Sequence, residues 1–87
     1  MWYVYVLESL KNSYLYTGYT DNLKRRFKEH NEGRGGDYTR RHGKWKLIFY
    51  ESYLDKLDAI EAEIFFKSGY GKEVLRKKLE NYYKNKK

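Results

Sequence analysis

The chain opens on an unbroken apolar and aromatic run, Trp2-Tyr3-Val4-Tyr5-Val6-Leu7. β-Branched and aromatic residues with no polar alternation predict a strand buried on both faces. Glu8-Ser9-Leu10-Lys11-Asn12-Ser13 reads as a polar loop and Tyr14-Leu15-Tyr16-Thr17-Gly18-Tyr19 as a second strand, so the two runs predict a hairpin. Leu23 and Phe27, at i,i+4, predict a helix over 22–31, with Asp21 as N-cap, Thr20 as the alternative cap, and Gly33, Gly35 and Gly36 ending it. The stretch 33–44 scatters Arg34, Arg40, Arg41, His42 and Lys44 among glycines and reads as a mobile basic loop. Trp45-Lys46-Leu47-Ile48-Phe49-Tyr50-Glu51 is the third strand. Asp55 caps the next helix, Asp58 adds negative charge to its first turn, and the helix runs to about Lys67 with Gly69 as its stop. Leu57, Ile60 and Ile64 lie on one side of it and Ala59, Ala62 and Phe66 on another, which predicts burial between two layers. Val74, Leu75, Leu79, Tyr82 and Tyr83 predict a last helix over 72–84, with a fraying basic tail, Lys84-Asn85-Lys86-Lys87. The order β-β-α-β-α-α predicts an α+β fold, a small and mostly antiparallel sheet with helices packed on it.

Length and composition narrow the class. At 87 residues the chain can hide roughly 64% of its unfolded surface, enough for one modest core and a single domain over 1–87. No cysteine is present, which excludes a disulfide framework, a thiolate metal site and a cysteine nucleophile, and suits a reducing cytoplasm. No apolar run approaches the ~20 residues of a membrane span, and Met1-Trp2-Tyr3-Val4 lacks the basic start of a signal peptide. A net charge of +7 favours a polyanion partner, nucleic acid before an anionic membrane surface. Eleven tyrosines add a second theme, since tyrosine can stack on bases, pack half-buried, or work through its hydroxyl.

Candidate chemistry gathers at three places. On the first helix, with Leu23 at zero, Phe27 falls at about 40°, Arg26 at about 300° and His30 at about 340°. Arg26 and His30 therefore share the edge of the core-facing stripe, where an arginine needs an anion beside it: a buried carboxylate, or a phosphate. In the hairpin, alternation and antiparallel pairing could place Tyr5 and Tyr16 side by side, and Gly18 leaves an opening where a ligand backbone could approach. On the second helix, Glu61 and Glu63 both lie among apolar neighbours, and spacing does not separate them. Either could pair with Arg26 or hold one Mg²⁺ that keeps most of its waters. The only histidines are His30 and His42, which excludes a multi-histidine metal site, and no P-loop or HExxH pattern is present.

Together these residues resemble the GIY-YIG nuclease family, most closely its small stand-alone bacterial members related to the N-terminal domain of the excision-repair endonuclease. The likeness runs from Trp2 to about Leu79. Tyr3-Val4-Tyr5 stands at the first name-giving tripeptide, with Tyr3 in place of Gly, and Tyr16-Thr17-Gly18 at the second. The helix from Asp21 to Asn31 is similar to the family's arginine helix, with Arg26 at the catalytic arginine and His30 at a position taken by His or Tyr. Ala62-Glu63-Ile64-Phe65-Phe66-Lys67 resembles the segment that supplies the metal-binding Glu, which favours Glu63 over Glu61. Tyr38-Thr39-Arg40-Arg41-His42 and the strand from Trp45 to Glu51 resemble the basic loop and following strand of the small members. Tyr19 stands where many members have Lys, and a late Asn of some family nucleases has no counterpart.

The resemblance implies a three-stranded antiparallel sheet flanked by helices. It also implies phosphodiester hydrolysis with one Mg²⁺ or Mn²⁺ held by Glu63. Arg26 would bind the phosphate, and Tyr5 would be the general base, assisted by Tyr16 or His30. The expected partner is DNA, branched or damaged DNA as in repair, with RNA as another possible polyanion and a further protein supplying substrate selection. Arg34, Arg40, Arg41 and Lys44, with Arg76, Lys77 and Lys78, are the expected nucleic-acid contacts. The competing expectation is a nucleic-acid-binding module of the same fold with a silent site.

Overall fold

The structure, a computed structural model, describes residues 1–86; Lys87 of the basic tail lies outside the described residues. Three strands, β1 (Trp2–Ser9), β2 (Leu15–Thr20) and β3 (Trp45–Tyr53), form one antiparallel sheet in the order β2-β1-β3. Among the described residues five helices accompany it: α1 (Leu23–Asn31), α2 (Asp37–His42), α3 (Lys56–Lys67), α4 (Gly69–Lys78) and α5 (Glu80–Asn85). The α+β fold and the order of its main elements are those expected from the chain.

β1 is central, and Val4 to Leu7 are all buried, as an apolar run without alternation requires, with burial continuing through Glu8 and Ser9. Its two faces feed two cores. Val4 and Val6 pack with Phe66 of α3 and Leu75 of α4, while Tyr5 and Leu7 pack with Trp45, Leu23 and Phe27 on the α1 side. β2 pairs only with β1, so its other edge is free along the side of the sheet.

Several local expectations are corrected. The strand continues through Glu8 and Ser9, which were expected in the polar loop. Glu8 is buried because Tyr82 donates to its carboxylate at 2.5 Å and Lys86 Nζ lies 2.7 Å from it. That anchor also reaches the described part of the tail, which is helical rather than unstructured: α5 runs to Asn85, and Lys86 Nζ donates to Ser13 Oγ at 3.1 Å. Asn22, not Asp21 or Thr20, caps α1: its Oδ1 accepts from the Arg25 amide at 3.0 Å. Asp21 is engaged by the Arg25 guanidinium at 3.4 Å, and Thr20 Oγ1 accepts from the Asn22 amide at 3.1 Å.

The basic stretch 33–44 is not a plain loop, because 37–42 forms α2. Asp37 pairs with Arg40 at 2.7 Å, and the indole of Trp45 donates to the buried Thr39 carbonyl at 2.7 Å, fastening the helix to β3. Gly69 does not end a helix but opens α4. Ser68 closes α3 and caps α4, its Oγ accepting from the Gly71 amide at 3.0 Å. The glycine the elbow needs is Gly71, where a Cβ would lie 1.7 Å from the Phe65 carbonyl oxygen. The last helix breaks at Leu79 into α4 and α5.

α3 is covered on one side only. Ala59 and Phe66 are buried, but Leu57 and Ile64 are 65% and 64% exposed. α4 sends Leu75 into the same core as Phe66 and leaves the outer face of α3 uncovered. No helix among the described residues is long and apolar enough to cross a membrane.

Candidate active site

Tyr5 stands at the centre of the sheet with 1% of its surface exposed. Its register partner on β2 is Gly18, and a Cβ there would lie 2.6 Å from the Tyr5 hydroxyl oxygen and 2.8 Å from Cζ. The opening expected at Gly18 is therefore filled by the Tyr5 phenol, not left for a ligand backbone. Gly18→Ala should force Tyr5 out of a place it has no room to leave, and overpacking of this kind costs roughly 1–3 kcal/mol. A thermal melt reads the loss, and Tyr5→Phe in the Gly18→Ala background should recover part of it. Additive losses would separate the two residues.

The Tyr5 hydroxyl lies 2.8 Å from Nε2 of His30, which α1 delivers to the interior at 1% exposure. Tyr16 completes an aromatic group, its ring 6.3 Å from that of Tyr5 and 4.8 Å from His30. The sequence expectation that Tyr5 and Tyr16 would be neighbours holds, along a diagonal of the ladder, since Tyr16 pairs with Leu7.

An open cavity of about 470 Å³ lies over this group. Tyr5, Tyr16 and Gly18 form its floor, α1 contributes Arg26 and Glu29, and α3 contributes Glu63. Thus Tyr5, Tyr16, Gly18, Arg26 and Glu63 meet at one place, with His30 directly behind Tyr5. The lining takes residues from both faces of β2, so the cavity wraps its free edge. Arg26 is bound neither to Glu63 nor to any other residue of α3. Its Nη1 donates to Glu29 at 3.0 Å on the same helix, and its side chain remains 30% exposed. Glu63 has Lys67 at 3.3 Å, one turn further along α3. Glu61 is exposed and lines a different hollow, beside Glu51 and Asp58.

Burial sets the electrostatics. It pushes the Tyr5 hydroxyl well above the ordinary tyrosine range, with Tyr16 adding to the rise and the Arg26 charge opposing it. Burial, then the Arg26 charge, lowers His30 to about 4, so the imidazole is neutral at neutral pH. Its Nδ1 is buried and has no partner among the described residues. Burial pulls Arg26 down, but the bond to Glu29 and the facing tyrosines more than offset this and leave its pKa raised.

The seven basic residues expected to contact nucleic acid stand elsewhere. Arg34 is paired with Glu32, Arg40 with Asp37, and Lys44 Nζ donates to the Asn31 carbonyl at 3.0 Å. Arg76 lies over the Tyr83 ring at 5.1 Å, and Lys78 lines the hollow that holds Glu61. Arg41 and Lys77 are exposed and in no ion pair among the described residues. None of the seven lines the cavity; the cations that do, besides Arg26, are Arg25 and Lys56. Lys56 sits 5.1 Å from the Trp2 ring, and Trp2 and Tyr19 form an aromatic wall at that end. Lys56 and Glu63 are seven residues apart on one helix, hence on one face, and that spacing was the available signal.

The whole described chain has known counterparts. A sequence profile described as the GIY-YIG catalytic domain matches residues 1–87. The UPF0213 protein YazA of Bacillus subtilis is 40% identical over 84 residues, covering 97% of this chain and 79% of its own. The UPF0213 protein in the ldhD 5' region of Pediococcus acidilactici is 46% identical over 76 residues, covering 85% and 76%. Among solved structures, the solution NMR structure of the UPF0213 protein BH0048 from Bacillus halodurans matches with a TM-score of 0.52 and 40% identity, covering 86% of this chain and 82% of that one.

Proposed function

The chain belongs to the GIY-YIG nuclease family, beside small bacterial members, and from that membership we propose that it is a metal-dependent endonuclease hydrolysing phosphodiester bonds of DNA. The observation that carries the proposal is the single cavity in which Arg26, Glu63 and Tyr5 converge. A phosphate there meets a guanidinium suited to two parallel hydrogen bonds, and leaves Glu29 as the only acid that must yield it. Magnesium is commonly held by one or two carboxylates together with waters and substrate phosphate. The carboxylates that line this cavity are Glu63, Glu29 and Asp21, with no histidine or sulfur; Glu29 and Asp21 are engaged by Arg26 and Arg25, which leaves Glu63 to fit that habit. Bound at Glu63, Mg²⁺ or Mn²⁺ would supply charge neutralisation at the phosphate and its leaving oxygen. Lys67, exposed and flexible, can release Glu63 for that role.

Burial disfavours the phenolate of Tyr5, which favours a relay as its part. Its oxygen takes a proton from the attacking water as its own proton passes to Nε2 of His30, 2.8 Å away. The tautomer with the proton on Nδ1 leaves Nε2 free to accept. A bound phosphate offsets the Arg26 charge that depresses His30, so substrate itself makes the imidazole a better acceptor. Tyr16 closes the floor beside both rings. The lack of cysteine suits work in a reducing cytoplasm.

The test is incubation with labelled single-stranded, duplex, flap and four-way-junction DNA in Mg²⁺, Mn²⁺ or EDTA. Cleavage that requires the metal supports the proposal. Binding without metal-dependent cleavage on any of them would leave a nucleic-acid-binding module. Affinity should fall with salt, log K declining by about 0.9 per neutralised phosphate on duplex DNA. Lys56→Ala should lower that slope by about one, and Lys78→Ala should not. Binding that ignores salt between about 50 and 200 mM would contradict the polyanion reading.

A further inference from the structure

We propose that the groove continues past Tyr16 along the free edge of β2 as a shelf for an unpaired nucleobase, so that the preferred nucleic acid carries single-stranded nucleotides next to the scissile phosphate. This rests on the reading that nucleic acid enters the Arg26–Glu63 cavity.

A second hollow, of about 490 Å³, shares Tyr16 with that cavity and extends toward the start of β2. Like the first it takes residues from both faces of the strand, Tyr16 from one and Thr17 from the other, so the two hollows form one track along the edge. Its walls are Tyr14 and Tyr38 on one side and Lys67 and Lys72 on the other, and no carboxylate lines it. Lys67 is shared with Glu63 of the first cavity, while Lys72 is in no ion pair among the described residues; rings beside such cations suit a base with its phosphate, since every base has a face to stack and every nucleotide an anion.

The two rings are held from behind and open in front. His42 stands between them, its ring 5.1 Å from Tyr14 and 4.6 Å from Tyr38. His42 is itself fixed: its Nδ1 lies 2.9 Å from the side-chain Nδ2 of Asn12, and its carbonyl accepts from the Ser9 hydroxyl. Yet Tyr14 and Tyr38 remain 53% and 43% exposed. Rings with so little freedom left to lose bind a flat partner at low entropic cost. A duplex hides its base faces in its own stack, so only an unpaired base can use the shelf.

The experiment measures binding of fluorescent DNA to the Glu63→Gln protein, in which cleavage is prevented, both shelf rings stay in place and Lys67 loses its ion-pair partner, and every ring variant is compared within that background. A single-stranded oligonucleotide is compared with a blunt duplex of equal length. Tyr14→Leu and Tyr38→Leu should each weaken single-strand binding about 5- to 150-fold, the range of one lost base stack, and leave duplex binding unchanged. Tyr→Phe at either position should retain affinity, because the ring stacks and the hydroxyl does not. A single-strand series with one abasic site at each position tests the same contact from the ligand side: one position should lose affinity, and Tyr38→Leu should cost nothing further there. Equal losses on both ligands, no loss on either, a flat abasic series, or no binding of single strands would overturn the shelf. Metal-dependent cleavage by the wild-type protein, read in parallel, tells the two ideas apart. Cleavage with no effect of the ring variants rejects the shelf alone, and ring-dependent single-strand binding without cleavage rejects the nuclease and keeps the shelf.

Discussion

Glu63→Gln is expected to slow cleavage by at least roughly a thousandfold, because a bound cation contributes several kcal/mol of charge stabilisation in the transition state. The amide keeps the size of the side chain and loses the charge the cation needs. Stability should barely change. The only ion pair lost is with Lys67, an i,i+4 pair whose lysine is largely exposed, and such pairs contribute about 0.3–0.5 kcal/mol. DNA binding should hold or tighten, since a carboxylate that repels phosphate is gone and Lys67 is released. Glu61→Gln is the internal control: it removes the same charge from the same helix outside the cavity, and the rate should stay near that of the wild type. Single-turnover cleavage of the three proteins decides it, and an undiminished rate in Glu63→Gln would remove Glu63 from the mechanism.

Arg26→Ala should cleave at least ~100-fold more slowly, the scale of losing one main charge contact in the transition state. It should also melt near the wild-type temperature. Had Arg26 been locked to a buried Glu63, truncation would have cost roughly 3–5 kcal/mol. Its partner is instead Glu29, three residues away on α1 and partly exposed, and Glu29 keeps Arg25 at 3.9 Å when Arg26 is gone. Arg26→Lys should recover only part of the rate, because an ammonium lacks the planar two-pronged donor. A second readout is independent of catalysis. Removing a positive charge near His30 favours the imidazolium, so the His30 titration followed by NMR should move upward from about 4. A variant that unfolds would make Arg26 structural, and a stable, fully active one would leave it without a role.

What could be read from the chain alone was what depends on near neighbours. The doubly buried β1, the hairpin, the Asp55 cap and the nearness of Tyr5 to Tyr16 follow from alternation and turn chemistry within a few residues, while the register that sets the two tyrosines on a diagonal rather than side by side does not. The errors were of two kinds. Some were local competitions among polar groups: Asn22 capped α1 because Asp21 was drawn to Arg25, and Ser68 rather than Gly69 divided α3 from α4. Others came from partners far along the chain. Trp45 turned a glycine-rich basic stretch into α2, and Tyr82 and Lys86 buried Glu8.

By itself the sequence determined the three strands, the main helices, their order, and the residue types available for phosphate chemistry, because these rest on periodicity and on composition. Tertiary structure decided which of those residues meet. It put Glu63 in the cavity and Glu61 outside it, gave Arg26 to Glu29, set His30 behind Tyr5, and left the expected basic contacts away from the cavity. The reason is physical. A side chain's partner across the fold is chosen by how the helices lie on the sheet, and 100° per residue fixes a direction around a helix axis, not what stands there. The free edge of β2, along which both hollows run, is a property of strand order, and no window of sequence contains it.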